Sequence, residues 1–286
     1  MPRVLIAGCG YLGQATAELF VARGWQLEGW TRSSEAMQDL GAKSYSVQAV
    51  DLSDQAAVMA CETEFDAVIH CASTRGGDVD LYRQVYFDGV RNLIARFQRA
   101  KVLFISSTSV YAQTGGEWVT EDSPAEPNHP TGKILRAAEQ LALEQNAIVA
   151  RLAGIYGPGR SFLLKSLLAD KAVIDPQNDR FLNQIHRDDA AAALVVLLDR
   201  GEQSLSGEIF NVVDDQPIRQ SECYRWLAAK LDRSQPSPAA SLPAKRKRGW
   251  SNKQVSNTKL RGLGWLPKYP TFAEGMEKSV LPSFGL

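Results

Sequence analysis

The chain has 286 residues, and its 32 Lys and Arg are matched by 32 Asp and Glu. A balanced charge gives no long-range field toward nucleic acid or a membrane surface, and no apolar stretch is long enough to span a bilayer. Four cysteines without CxxC spacing and three scattered histidines argue against a disulfide framework and a metal centre, and point to reduced thiols in the cytoplasm. No internal repeat or low-complexity segment is present.

In chain order, residues 4–7 read as a short buried strand that runs into Gly8-x-Gly10-x-x-Gly13. Apolar residues at helical spacing follow over 12–23. This strand–turn–helix is the pattern that holds a dinucleotide pyrophosphate. Gly8 permits the tight turn, Gly10 lets the backbone approach the phosphates, and Gly13 lets helix and strand pack closely. The free amides around Tyr11 and Leu12 offer the anion a positive helix end. With a strand that opens the chain in this way, a cleaved signal peptide is not expected.

Further strands are expected at 26–31, 44–47, 67–70, 102–106 and 148–152, alternating with helices at 34–40, 54–62, 80–99 and 131–145. That alternation predicts an α/β fold with a doubly wound parallel sheet of Rossmann type, whose ligands sit at the carboxyl ends of the strands. The second strand ends in Thr31-Arg32-Ser33. Thr31 stands eighteen residues past Gly13, where a carboxylate would grip a ribose 2′-hydroxyl. Arg32 and the hydroxyls of Ser33 and Ser34 suit a 2′-phosphate instead, so NADP is favoured, with NAD as the alternative. Asp51 and Leu52 follow the third strand and reach the adenine. Cys71, Ala72 and Ser73 follow the fourth and line the adenosine and diphosphate side.

After Leu152, residues 154–159 read as a turn-rich exit from the sheet. A helix at 161–170, an extended piece near 181–185, a buried helix at 188–200, a strand at 207–212 and an amphipathic helix at 220–231 follow. Residues 234–256 read as a surface connection, 263–267 as a turn and 272–280 as a last helix. The division is a dinucleotide-binding domain over 1–155, to which 186–212 return, and a smaller, non-contiguous substrate lobe from 156–185 and 213–286. Within the connection, Lys245 to Arg248 form a basic run read as a solvated loop, with contact to an anionic substrate left open.

Several motifs together resemble the extended short-chain dehydrogenase/reductase family, the NAD-dependent epimerase/dehydratase group. Beyond the glycine motif, Ser106-Ser107-Thr108-Ser109-Val110-Tyr111 is similar to the family's Ser-Ser-x-x-Val-Tyr. Residues 151–158, from Arg151 through Gly154 to Gly157 and Pro158, resemble Arg-x-x-x-Val-Tyr-Gly-Pro. Residues 185–189 resemble Ile-His-Val-Asp-Asp, and the stretches 207–212 and 263–267 also match. The resemblance spans nearly the whole chain and implies cofactor contact at Gly154. It also implies a dimer through the long helices at 80–99 and 131–145, with a monomer as the alternative.

The resemblance further implies a Ser or Thr, a Tyr and a Lys as catalytic groups, the last two in Pro-x-x-x-Tyr-Gly-x-Ser-Lys with a Glu four residues on. Here the chain reads Pro127 to Leu135 and then Glu139. Anchored on Pro127, Gly132 and Glu139, the register puts Thr131 at the Tyr position and Leu135 at the Lys position. A second register anchored on Lys133 puts His129 in place of the Tyr but misaligns Gly132 and Glu139, and the first is preferred. An aliphatic hydroxyl at Thr131 is too weak an acid to replace a phenol. Ser107 keeps the catalytic Ser position. The proton must then come from water, from His129, whose imidazole titrates near neutral pH, or from Tyr111. His186 is expected to pack or cap near the start of the helix at 188–200, with Asp188 or Asp189 as its cap.

Two functions fit this reading. One is an atypical oxidoreductase or epimerase acting on a polar small molecule, sugar-like or nucleotide-linked. The other is a non-catalytic NADP(H)-binding sensor or scaffold. Neither takes nucleic acid or membrane as a partner.

Overall fold

The computed structural model describes residues 1–74, 76–177, 179–199, 204–238 and 251–286. The basic run Lys245 to Arg248 lies outside the described residues. The elements are β1 (Arg3–Ala7), α1 (Tyr11–Ala22), β2 (Gln26–Thr31), α2 (Ser34–Asp39), β3 (Ser46–Ala49), α3 (Gln55–Met59) and β4 (Ala67–His70). A helix then starts as α4 (Val79–Tyr82), widens through a π-helical segment (Arg83–Asp88) and ends as α5 (Gly89–Arg96). Next come β5 (Lys101–Ser107), β6 (Trp118–Val119), α6 (Pro130–Glu144), β7 (Ile148–Leu152), β8 (Gly154–Tyr156), α7 (Phe162–Leu168), β9 (Phe181–Leu182) and β10 (Gln184–His186). The rest is α8 (Arg187–Leu198), β11 (Ile209–Val212), β12 (Ile218–Arg219), α9 (Gln220–Lys230), β13 (Gln254–Val255), α10 (Thr258–Arg261), α11 (Phe272–Gly275), a π-helical segment (Met276–Val280) and α12 (Leu281–Ser283).

Seven strands form one parallel sheet in the order β11-β7-β5-β4-β1-β2-β3. The order reverses direction between β1 and β4, which opens a crevice at their carboxyl ends where a doubly wound sheet takes its ligand. Strands β1 and β4 are buried throughout, apart from Arg3 at the start of β1. Val4, Leu5 and Ile6 have no exposed surface, and burying each is worth roughly 1.5–3 kcal/mol. Helices α1 and α8 pack side by side, while α3, α5 and α6 form a second row.

A separate apolar cluster gathers Tyr156, Leu164, Leu167, Tyr224, Leu227, Phe272 and Met276. This cluster is distinct from the core of the sheet. Val255, Leu260 and Trp265, which the sequence division puts in the second lobe, pack in the sheet's core instead. One sequence expectation is corrected here: Gly154–Tyr156 is not a turn but strand β8, paired in parallel with β10. Its backbone amides and carbonyls find partners in Asn183 and β10, a match that only the folded chain supplies.

Candidate active site

The glycine turn is shaped by contacts a side chain would break. Gly8 has φ +110°, and a Cβ there would sit 2.2 Å from the Ala72 amide nitrogen. At Gly13 a Cβ would lie 2.4 Å from the Gly8 carbonyl oxygen. Gly8 and Cys9 donate their amides to the Trp30 carbonyl, at 3.0 and 2.8 Å, tying the turn to the end of β2. Gly10 caps α1 without a side-chain hydrogen bond, and no acidic residue stands in the first turn. The first-turn amides are therefore left for an anion. These features fit a dinucleotide diphosphate: backbone fills the space beside Gly8 and the helix end is uncompensated.

The other cofactor-side candidates surround this turn. Ala72 backs Gly8, and the Cys71 amide donates to the Ala7 carbonyl at 2.7 Å. Burial pushes the Cys71 thiol up to about 12, so it stays protonated. Ser73 is exposed. Leu12 and Leu52 are buried in the sheet's core. Asp51 Oδ1 accepts from the Ser53 amide and hydroxyl, at 2.9 and 2.7 Å. At the end of β2, Thr31 Oγ1 donates to the Ser33 carbonyl and Ser33 Oγ caps α2 by accepting from the Ala36 amide. Arg32 is exposed between them. Gly154, exposed at the start of β8, lies just past the carboxyl end of β7.

At the far end of the crevice, Ser107 closes β5. Its Oγ accepts from the Ser109 amide at 3.2 Å, which fixes the oxygen and leaves its hydrogen to donate. Helix α6 packs against the following turn, Thr108–Val110. His129 caps that helix: its Nδ1 accepts from the Gly132 amide at 2.9 Å and lies 3.0 Å from Thr131 Oγ1. A Cβ on Gly132 would be 2.6 Å from both the His129 ring and Pro127, so the cap depends on that glycine. Thr131, Leu135 and Glu139 follow at four-residue spacing and share one face. Leu135 and Glu139 are buried there, whereas Lys133 is exposed.

Below this face lies a buried polar network. Ser106 donates to Glu139 Oε1 at 2.5 Å, and Arg151 forks onto the same carboxylate at 3.0 and 2.7 Å. Arg151 also donates to Tyr111 Oη at 2.8 Å, and Tyr111 donates to Asn211 Oδ1 at 2.9 Å. Tyr111 has no exposed surface, and burial raises its phenol above the ordinary value. The expectation that Tyr111 could donate the proton is therefore corrected: its hydrogen is committed to Asn211, and it joins β5 to β11. A second correction concerns the cap of α8: it is His186, whose Nδ1 accepts from the Asp188 amide at 3.2 Å, and not Asp188 or Asp189. Burial pushes its imidazole down to about 4. Asp189 instead accepts the amides of Lys268 and Tyr269, at 2.6 and 2.9 Å, anchoring the turn that follows Trp265.

Sequence reasoning missed two groups, the first at the start of α1. Two guanidiniums lie against the ring of Tyr11, Arg160 at 5.1 Å and Arg187 at 5.0 Å from its centroid. The available signal was Arg187, which stands where the family pattern has Val. Lys253 is only 5% exposed and precedes β13, which pairs with β6. Burial and the nearby Arg180 push its ammonium down to about 8. Its place in a run of Ser, Asn, Lys and Gln gave no sign of burial.

The parallel sheet with its switch point, the glycine cradle and the Ser-x-x-x-Tyr turn define a dinucleotide-binding α/β protein of the extended short-chain type. The model of the NAD dependent epimerase/dehydratase family matches residues 4–212, and the chain belongs to that family. It is 28% identical to Protein YeeZ of Escherichia coli K12 over 284 residues, covering 94% of this chain and 97% of that one. The structure of an NAD-dependent epimerase/dehydratase-type protein from Methylobacillus flagellatus superposes with a TM-score of 0.82 at 27% identity, covering 100% and 99% of the two chains. The UDP-glucose 4-epimerase of Thermus thermophilus, solved with NAD, shares the fold with a TM-score of 0.81 at 22% identity and 99% coverage of both chains.

Proposed function

We propose that the chain is an NAD(P)-dependent oxidoreductase of epimerase/dehydratase type with an altered proton-transfer site. Its substrate is a polar small molecule, sugar-like or nucleotide-linked. One observation carries the reading: the glycine cradle and Ser107 stand at the carboxyl edge of one sheet, on strands separated only by β4. Bound nicotinamide dinucleotide would supply the hydride acceptor or donor. Gly8, Gly10 and Gly13, with the amides of Tyr11 and Leu12, hold the diphosphate. Asp51 and Leu52 take the adenine side, and Ala72 with Ser73 the adenosine. Exposed Arg32, followed by the Ser33 and Ser34 hydroxyls, supports NADP over NAD.

Ser107 orients the reacting oxygen by donating its free hydrogen. The proton passes through water, since His129 spends Nδ1 on the Gly132 amide and its Nε2 is buried. With Nδ1 accepting from the Gly132 amide, the neutral His129 ring carries its hydrogen on Nε2. The four cysteines are unbridged, which supports a cytoplasmic setting.

A second reading rests on Leu135, buried at the position where the family pattern puts a cation. Without that charge the chain would hold NADP(H) as a sensor or scaffold. The deciding experiment is a substrate screen under saturating NADPH or NADP with Ser107→Ala as control. An enzyme loses turnover in that variant and keeps cofactor affinity. A binding protein shows no turnover in either form.

A further inference from the structure

Tyr11 is the first residue of α1 and the middle of the glycine motif, yet its ring is gripped by residues far away in sequence. Its hydroxyl donates to the Pro158 carbonyl at 3.0 Å. Arg160 reaches the ring from a tight turn in which Gly157 and Arg160 exchange both backbone hydrogen bonds at 2.9 Å. Arg187 reaches it from the start of α8, positioned by the His186 cap. Arg187 is engaged by Asp188, to which its Nε donates at 2.8 Å. Arg160 is in none of the ion pairs formed among the described residues, and it is exposed.

Two guanidiniums and the positive end of α1 therefore converge around one turn, with no acidic residue in that turn. Tyr11 is the first residue of α1, so its ring and the two guanidiniums against it stand at the helix end whose amides are uncapped. A guanidinium against a partly exposed ring is held weakly. Phosphate oxygens, by contrast, accept paired, charge-assisted N–H bonds from arginine. The convergence matches an anion with two phosphate groups.

We propose that Arg160 and Arg187 clasp the diphosphate of the dinucleotide from above, opposite the α1 amides, and that Tyr11 is the rest on which both wait. The proposal rests on the cofactor reading above and adds two residues to it. Arg160 comes from the second lobe, so the same clasp couples cofactor binding to the position of that lobe.

The test is a fluorescence titration of the full chain and of the Arg160→Ala/Arg187→Val double variant with NADH and with NADPH. Val at 187 restores the residue of the family pattern. Both dinucleotides should weaken by the same factor, roughly tenfold for each arginine, with a shallower salt dependence and an unchanged urea midpoint. Undiminished affinity for both would overturn the clasp. A loss confined to NADPH would also overturn it, by moving the arginines to the 2′-phosphate. If the double variant unfolds, Arg160→Ala alone, at an exposed site, reads the same two affinities. Failure of the cofactor reading looks different, because the parent chain itself would then bind neither dinucleotide.

Discussion

The two ends of this crevice have fared differently. At the nucleotide end, glycines stand wherever a side chain would strike backbone: the turn at Gly8 and the contact at Gly13 leave no room for a methyl group. At the proton-transfer end, in the reading proposed above, α6 keeps the scaffold of the family site and not its chemistry. Glu139, Gly132 and the network through Arg151 and Tyr111 are in place, while the preferred register of the sequence puts Thr131 and Leu135 where the family pattern has Tyr and Lys. The comparison teaches that the framework serving the fold and the groups serving the reaction are separable, even on one helix face.

The largest expected effect falls on the shared framework. Glu139→Ala leaves the Arg151 guanidinium, 1% exposed, buried without its carboxylate. Such a loss costs about 3–5 kcal/mol, read from urea denaturation. A variant as stable as the parent would break the claim that this network holds the emptied end in shape. Next comes Gly8→Ala, which forces both a positive φ and an overlap with Ala72. It should cost about 2–4 kcal/mol and abolish dinucleotide binding in a thermal-shift assay.

Lys253 sharpens the comparison by pH. Its folded value of about 8 lies below the ordinary 10.5. Between these values the unfolded chain binds a proton that the folded chain has released. Stability should therefore rise with pH through that window, and the penalty is constant below about 8. Lys253→Met removes the slope and recovers up to about 3 kcal/mol near neutral pH; equal pH–stability curves for the two proteins would contradict this. Ser107→Ala should lower turnover on the order of 10²-fold while dinucleotide affinity stays unchanged, since the hydroxyl lies at the other end of the crevice. The smallest effect is Arg32→Ala, expected to weaken NADPH about tenfold and NADH not at all.

The sheet was legible because its strands are short, apolar and bounded by turns. The expected strands at 26–31, 67–70 and 148–152 coincide with β2, β4 and β7. Strand β3 begins two residues later than expected because it is an edge strand with mostly exposed side chains, where alternation carries little signal. Strands β6, β8, β12 and β13 have two or three residues each and exist only through distant partners. At the site, the glycine turn is a local pattern and could be read directly. Tyr11 meeting Pro158 spans 147 positions and Arg151 meeting Tyr111 spans 40, so neither cluster has a signature in any one segment.

The account turns on whether the intact end works without the altered one. Titration of the purified chain with NADPH and with NADH, followed by nicotinamide fluorescence, tests this most directly. Saturable binding of both, tighter for NADPH and lost in Gly8→Ala, is the predicted result. Binding of neither dinucleotide at millimolar concentration would contradict it and leave the cradle a relic of the fold.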